Sequence, residues 1–254
     1  MSHSPITPRT VALTFFTLIA FASNSVLCRL ALAPGLIGAG TFTGVRLLSG
    51  AMVLMLLVAL RGRATAVQGT WGSAVALFAY AAPFSFAYLR IPAGVGALVL
   101  FGTVQATMIG SDLLKGKRLR STELAGLVLA VAGLTVLTLP GVSAPDPAGV
   151  GLMIVAGVAW GIYSLRGRAA IDPLKSTATN FLRSLLFAMP LGIASLRYET
   201  FTLTGVSYAI ASGAMASGLG YALWYTALRG LTATQAGIVQ LLVPALAAIG
   251  GILL

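Results

Sequence analysis

The sequence is poor in charge. Asp, Glu, Lys and Arg make up 8% of it, against 58% hydrophobic residues. A soluble domain carries about 25% charged residues. With 16 basic and 5 acidic side chains, a chain of 254 residues cannot build a water-facing shell, so lipid must cover much of its surface. Histidine and cysteine are nearly missing: His3 and Cys28 are the single examples. Their scarcity excludes a disulfide framework and any Cys/His metal site. No GxxxxGK[ST] segment occurs, so a Walker loop does not bind ATP here. No cofactor is implied.

What is present is long apolar runs. A helix needs about 20 apolar residues to cross a bilayer. Nine such segments lie near 10–28, 38–60, 71–89, 92–114, 121–139, 148–165, 177–195, 204–227 and 233–254. Backbone polar groups cannot be left bare in lipid, so these are predicted helices. The fold class expected is all-α integral membrane. The first run, preceded by Arg9, reads as a membrane helix rather than a cleaved signal.

The net charge of +11 would suit nucleic acid if the basic residues shared one face. They sit instead in the short gaps between apolar runs, where membrane proteins keep them. The expected environment is therefore the lipid bilayer, with no nucleic-acid partner. With the N-terminus cytoplasmic, eleven basic residues fall inside, among them Arg9, Arg61 and Arg166, and three fall outside: Arg29, Arg90 and Arg197. The positive-inside rule favours that orientation.

An internal repeat is legible. Arg46-Leu-Leu-Ser-Gly-Ala-Met-Val-Leu54 aligns with Arg183-Ser-Leu-Leu-Phe-Ala-Met-Pro-Leu191 at an offset of 137, identical at five of nine positions. The same offset sets Arg29 on Arg166 and Ala22 on Ala159. An offset of 139 sets Leu89-Arg90 on Leu228-Arg229 and Val104 on Val243. The chain reads as two units, 1–141 and 147–254, joined near Gly141–Pro147. Five helices in the first unit make the second enter from the opposite side, the inverted-topology repeat of many secondary transporters. Leu114 maps to Leu253, so a tenth helix is expected beyond the nine.

The pattern resembles the drug/metabolite transporter superfamily, in its ten-helix EamA form. The resemblance is carried by Phe21-Ala22-Ser23-Asn24-Ser25, by Arg46 opening the second helix, by the run from Asp112 to Arg120, and by Glu123 to Gly133 in the fifth helix. Where that family usually has Gly-Glu after the fourth helix, this chain has Gly116-Lys117. The resemblance implies a carrier of amino acids, other small metabolites or drugs in the bacterial inner membrane. In the similar YddG branch the cargo is aromatic amino acids; the sequence leaves the branch open, as it does a homodimer.

Ionisable residues inside membrane helices are functional candidates by default. Arg46 and Arg183 fit, as gates or pathway mouths; the plainer alternative is that each snorkels to an interface or bonds a neighbouring helix end. Asn24, Gln105 and Gln240 are amides in apolar helices. Each needs a partner, in another helix, in water or in substrate. Phe101, Gln105, Met108 and Asp112 share a helical face, with Asp112 expected to pair with Lys115. Tyr80, Trp160, Tyr163, Tyr221 and Trp224 are candidates for a ring-lined cavity. Tyr88 and Tyr225, nearer helix ends, suit an interfacial belt. Gly157 and Gly161 form a GxxxG pair suited to close helix packing. Pro83, Pro190 and Pro244 fall within helices as possible hinges.

A small-metabolite carrier with a cavity between its two units is the function expected, without enzymatic activity. A channel needs a continuous polar lining, and only scattered polar groups are present. A scaffold without substrate is the other alternative.

Overall fold

The computed structural model describes residues 7–62, 68–114, 116, 121, 124–126, 128, 132, 144–167, 170–197, 201–227, 230–231 and 239–253. The expected helix at 121–139 falls largely outside the described residues. So do Lys115, Lys117 to Arg120, Arg229 and the side chain of Asp112.

The described regular elements are helices: α1 (Pro8–Leu32), α2 (Ala39–Leu60), α3 (Trp71–Tyr88), α4 (Ala93–Leu114), α5 (Pro147–Gly167), α6 (Pro173–Ser195), α7 (Leu203–Ala211), a π-helical segment (Ser212–Leu219), α8 (Gly220–Ala227) and α9 (Leu242–Leu253). One isolated antiparallel bridge joins Ile37 and Phe201. Among the described residues, α1, α2, α4 and α5 are long and apolar enough to cross a membrane. Lys175 and Arg183 make α6 less apolar, and the 203–227 stretch is divided by the π segment.

Helix starts are set by caps rather than by hydropathy. Thr7 accepts from the Thr10 amide, Thr70 from Ser73, Asp172 from Lys175 and Thr202 from Gly205. Each side-chain oxygen satisfies an amide that has no partner within its helix. Pro8 and Pro173 follow directly, at a position where a missing N–H costs nothing. The expected starts at 10 and 177 are thus too late, because polar first turns lie outside the apolar windows. α1 also runs on past Cys28. Arg29 stays helical, its guanidinium taken up by the Tyr88 carbonyl at 2.7 Å.

The polarity of the surface is inverted relative to a soluble protein. Phe15, Phe16, Met52, Leu56, Leu60 and Leu186 are exposed, while Thr17, Asn24, Ser25, Thr43, Arg46 and Ser184 are buried. An apolar exterior with polar groups held inside is stable only if the exterior meets lipid.

The loops gather at two ends. At one end Thr202 donates to the Leu36 carbonyl at 2.7 Å, and Arg90 pairs with Asp146 at 3.5 Å. At the other, Asp172 donates through its amide to Gln68, and Arg166 reaches Thr70 and Ser73. Arg9, Arg61, Arg166 and Lys175 all belong to this second end, and Arg9, Arg61 and Lys175 line a cavity of about 630 Å³ there.

α2 packs on α6, α3 on α5, and α4 on α5 and α9; α1 packs on the 203–227 stretch and α9. The approach of α5 to α4 depends on Gly157. A Cβ there would stand 2.9 Å from the Leu100 carbonyl oxygen and 2.6 Å from Thr103 Cβ. Gly161, one turn on, meets Thr107 in the same way.

Candidate functional site

The centre of the protein is a buried polar cluster enclosed in aromatic rings. Arg46, eight residues into α2, is 1% exposed. It does not snorkel. Nη2 donates to the Tyr80 hydroxyl at 2.9 Å and Nε to Ser217 Oγ at 3.2 Å. Its guanidinium carbon lies 5.2 Å from the Tyr80 ring centroid and 4.8 Å from that of Phe84, within cation–π range. Nη1 has no hydrogen-bond partner.

Asn24, on α1, extends the network. Its amide nitrogen donates to the Tyr80 hydroxyl at 3.2 Å, and its oxygen accepts from Ser212. Four elements thereby meet through side chains: α1, α2, α3 and the π segment. The π segment makes this possible. Five residues apart on an α-helix are roughly 140° out of phase at about 100° per residue. The wider i→i+5 turn brings Ser212 and Ser217 round to one side, where both face the cluster. Gly213 lets the segment come close: a Cβ there would collide with the Arg46 carbonyl oxygen and Ser49 Oγ.

Trp160 of α5 is the hub of the rings. Its centroid lies 4.9 Å from Tyr80, 5.0 Å from Tyr221, 5.5 Å from Tyr163 and 6.3 Å from Phe21. Phe21 also meets Trp224 edge-on at 5.8 Å. Tyr163 is buried; its hydroxyl lies near Asn180, Thr177 and Tyr225 without hydrogen-bond geometry. The rings pack on one another beside Arg46, and Tyr225, one helical turn from Tyr221, lines the cavity at the basic end.

Asn24, Arg46, Tyr80, Trp160, Tyr163, Tyr221 and Trp224 are thus brought together. Gln105 and Gln240 are half-buried, and Gln105 lies against Gly126. Arg183 is also elsewhere. It donates to the Gly69 carbonyl at 3.0 Å and sits over the Trp71 ring at 5.2 Å, at the start of α3. Tyr88, expected in an interfacial belt, is fully buried instead. Its ring packs on Phe84 at 4.8 Å, and its hydroxyl donates to the Ala93 carbonyl at 3.3 Å, so the α3–α4 turn folds over it. Sequence reasoning missed Ser212 and Ser217. The doublets Ser212-Gly213 and Ser217-Gly218 recur at an interval of five, a spacing that fits neither an α-helix nor a strand.

Residues 147–254 match the EamA-like transporter family. Across 247 residues, 97% of this chain and 86% of the relative, the sequence is 52% identical to the uncharacterized protein PA1977 of Pseudomonas aeruginosa. The chain belongs to the EamA-like transporter family. This family, within the drug/metabolite transporter superfamily, consists of membrane transporters of small molecules rather than enzymes. As a family member the chain is a multi-pass membrane protein. A solved protein crystal structure superposes with a TM-score of 0.65 over 92% of this chain and 86% of that one, at 20% identity. At that identity the likeness is one of fold. The central cluster of this family member therefore sits in a transporter scaffold.

Proposed function

We propose that the protein is a secondary transporter that exports small metabolites, foremost neutral and aromatic amino acids, from the cytoplasm across the bacterial inner membrane. It works by alternating access between two inverted units, 1–141 and 147–254, with its N-terminus and basic end cytoplasmic. The observation that carries this reading is the central cluster. A polar network and a set of packed aromatic rings are assembled jointly from α1–α3 and from α5, the π segment and α8. Rings offer stacking surfaces and the network offers donors, which is what a small amphipathic solute needs.

The packing supports two related units. In the repeat alignment α1 corresponds to α5, α2 to α6, α3 to the 203–227 stretch, and α4 to α9. α3 packs on α5 as the 203–227 stretch packs on α1. α4 packs on α5 as α9 packs on α1. α2 with α6 and α4 with α9 pair element to counterpart. Units related in this way can rock about a shared centre.

Flux through proteoliposomes holding the purified protein tests the reading, with a panel of amino acids and other metabolites, with and without a pH gradient. Saturable movement of panel solutes is expected. No movement of any of them overturns it, and single-channel currents would make the protein a pore.

A further inference from the structure

We infer that Arg46 is the group that recognises the substrate, and that it reads a carboxylate: Nη1 binds the carboxylate of a solute whose apolar or aromatic body lies among the rings around Trp160. This rests on the carrier reading and names what the carrier's central site selects.

A guanidinium offers five N–H donors and always carries its charge. Arg46 spends two of its nitrogens on neutral hydroxyls, those of Tyr80 and Ser217, and its face on the rings of Tyr80 and Phe84. None of these supplies a counter-charge. Among the described carboxylates, Asp146 pairs with Arg90 and Asp172 caps α6, both at the ends of the bundle. A buried ion without an opposite charge is strongly disfavoured. Nη1, buried and unpartnered, is the unmet demand that a carboxylate oxygen satisfies, and a charge-assisted bond of this kind is among the strongest available.

The same inventory defines what the site does not read. No described carboxylate stands near Arg46 to receive an ammonium, and the guanidinium repels one. A carboxylate is therefore the group the site demands, in an amino acid or in a simple acid with an apolar body, and an amine without a carboxylate does not fit. The approach agrees. The cavity at the basic end carries Arg9, Arg61 and Lys175 with one acid, Asp172, and such a surface concentrates anions. Tyr225 in its wall is one helical turn from Tyr221, whose ring touches Trp160.

The rival account makes Arg46 a structural cross-link among α2, α3 and the π segment. Stability alone does not part them, because Arg46→Met loses the bonds to Tyr80 and Ser217 on either account and leaves both buried hydroxyls a partner short. They part on the ligand, since a pure cross-link gives no reason for binding to depend on a carboxylate.

The test uses the purified full chain in lipid nanodiscs, with binding and thermal unfolding followed for four probes: phenylalanine, 3-phenylpropionate, phenylalaninamide and phenethylamine. The two carboxylates are expected to bind, and the amide and amine to bind roughly tenfold or more weakly. Arg46→Met is expected to lower the unfolding temperature through the lost bonds to Tyr80 and Ser217 and to lose carboxylate binding by roughly tenfold or more. Arg46→Lys retains charge without the planar fork and binds at an intermediate level. Should Arg46→Met fail to fold, the probe series on the native chain and on Arg46→Lys decides. Equal binding of the amide or amine, no binding of either carboxylate, or unchanged binding after either substitution overturns the assignment. Flux of uncharged panel solutes that Arg46→Met leaves intact overturns it while the carrier reading stands. Carboxylate binding without flux of any solute upholds Arg46 and sinks the carrier.

Discussion

Arg29 and Arg166 hold opposite ends of one helix. Arg29 Nη1 donates to the Tyr88 carbonyl at the end of α3, at 2.7 Å, and Arg166 donates to Ser73 and Thr70 at its start, both at 3.1 Å. The two are counterparts in the sequence repeat. Arg29 meets the negative end of the α3 dipole directly, where a cation is favoured. Arg166 meets the start of the helix only through hydroxyls, which spare it direct contact with the positive end.

Unequal costs follow for their removal. Arg29→Ala should lower stability by about 1.5–3 kcal/mol, the range for hydrogen bonds to charged groups. Arg166→Ala, whose bonds lie nearer solvent, should cost about 1 kcal/mol. Thermal unfolding of the purified variants checks the order. Equal losses would mean that the dipole contributes nothing.

Gly213 is expected to tolerate no side chain. Alanine there must push the π segment off the Arg46 backbone, at about 1–3 kcal/mol of overpacking strain. Because the shift moves Ser217 away from Arg46 Nε, Gly213→Ala should impair transport beyond its stability loss. A variant that transports normally at full folding would show that the Arg46–Ser217 bond is dispensable.

Trp160→Ala removes the ring that Tyr80, Tyr163, Tyr221 and Phe21 all touch. Its cost is about 3–5 kcal/mol for a large core aromatic. Trp160→Phe keeps part of the packing and should lose less stability yet still weaken substrate affinity. Joint replacement of Trp160 and Tyr163 by Ala, leaving transport and affinity unaffected, would remove the rings from the proposed site.

Asp146 has two jobs that substitutions separate. It pairs with Arg90 at 3.5 Å across half-exposed side chains and accepts from the Gly149 amide at 2.7 Å, capping α5. Asp146→Asn keeps the cap and should cost less than about 1 kcal/mol, as should Arg90→Ala. Asp146→Ala loses the cap as well and should cost about 0.5–2 kcal/mol. Indistinguishable unfolding temperatures for Asp146→Asn and Asp146→Ala would mean that the cap adds no stability.

Composition determined much by itself. A charge fraction of 8% and runs of apolar residues dictate helices in lipid, because an unpaired backbone has no partner there. The repeat and the Phe21–Ser25 and Arg46 motifs pointed to the transporter family that residues 147–254 match. Tyr80 and Phe84 stand four residues apart, which puts them on one face of a helix, and their rings lie together at 5.3 Å.

Only the tertiary structure decided how those residues are used. Arg46 and Arg183 each open an Arg-x-Leu-x-x-Ala-Met run, yet one is buried among rings and the other sits at a helix start on Gly69 and Trp71. Local sequence cannot separate them, because what differs is the neighbour: α3 and the π segment around Arg46, the 68–71 turn around Arg183. Ser217, 171 residues from Arg46, reaches it through a π turn whose phase no α-helical pattern anticipates. The unpartnered Nη1 is likewise a property of the packed state. The sequence supplies a cation, and the fold decides that its described neighbours are neutral.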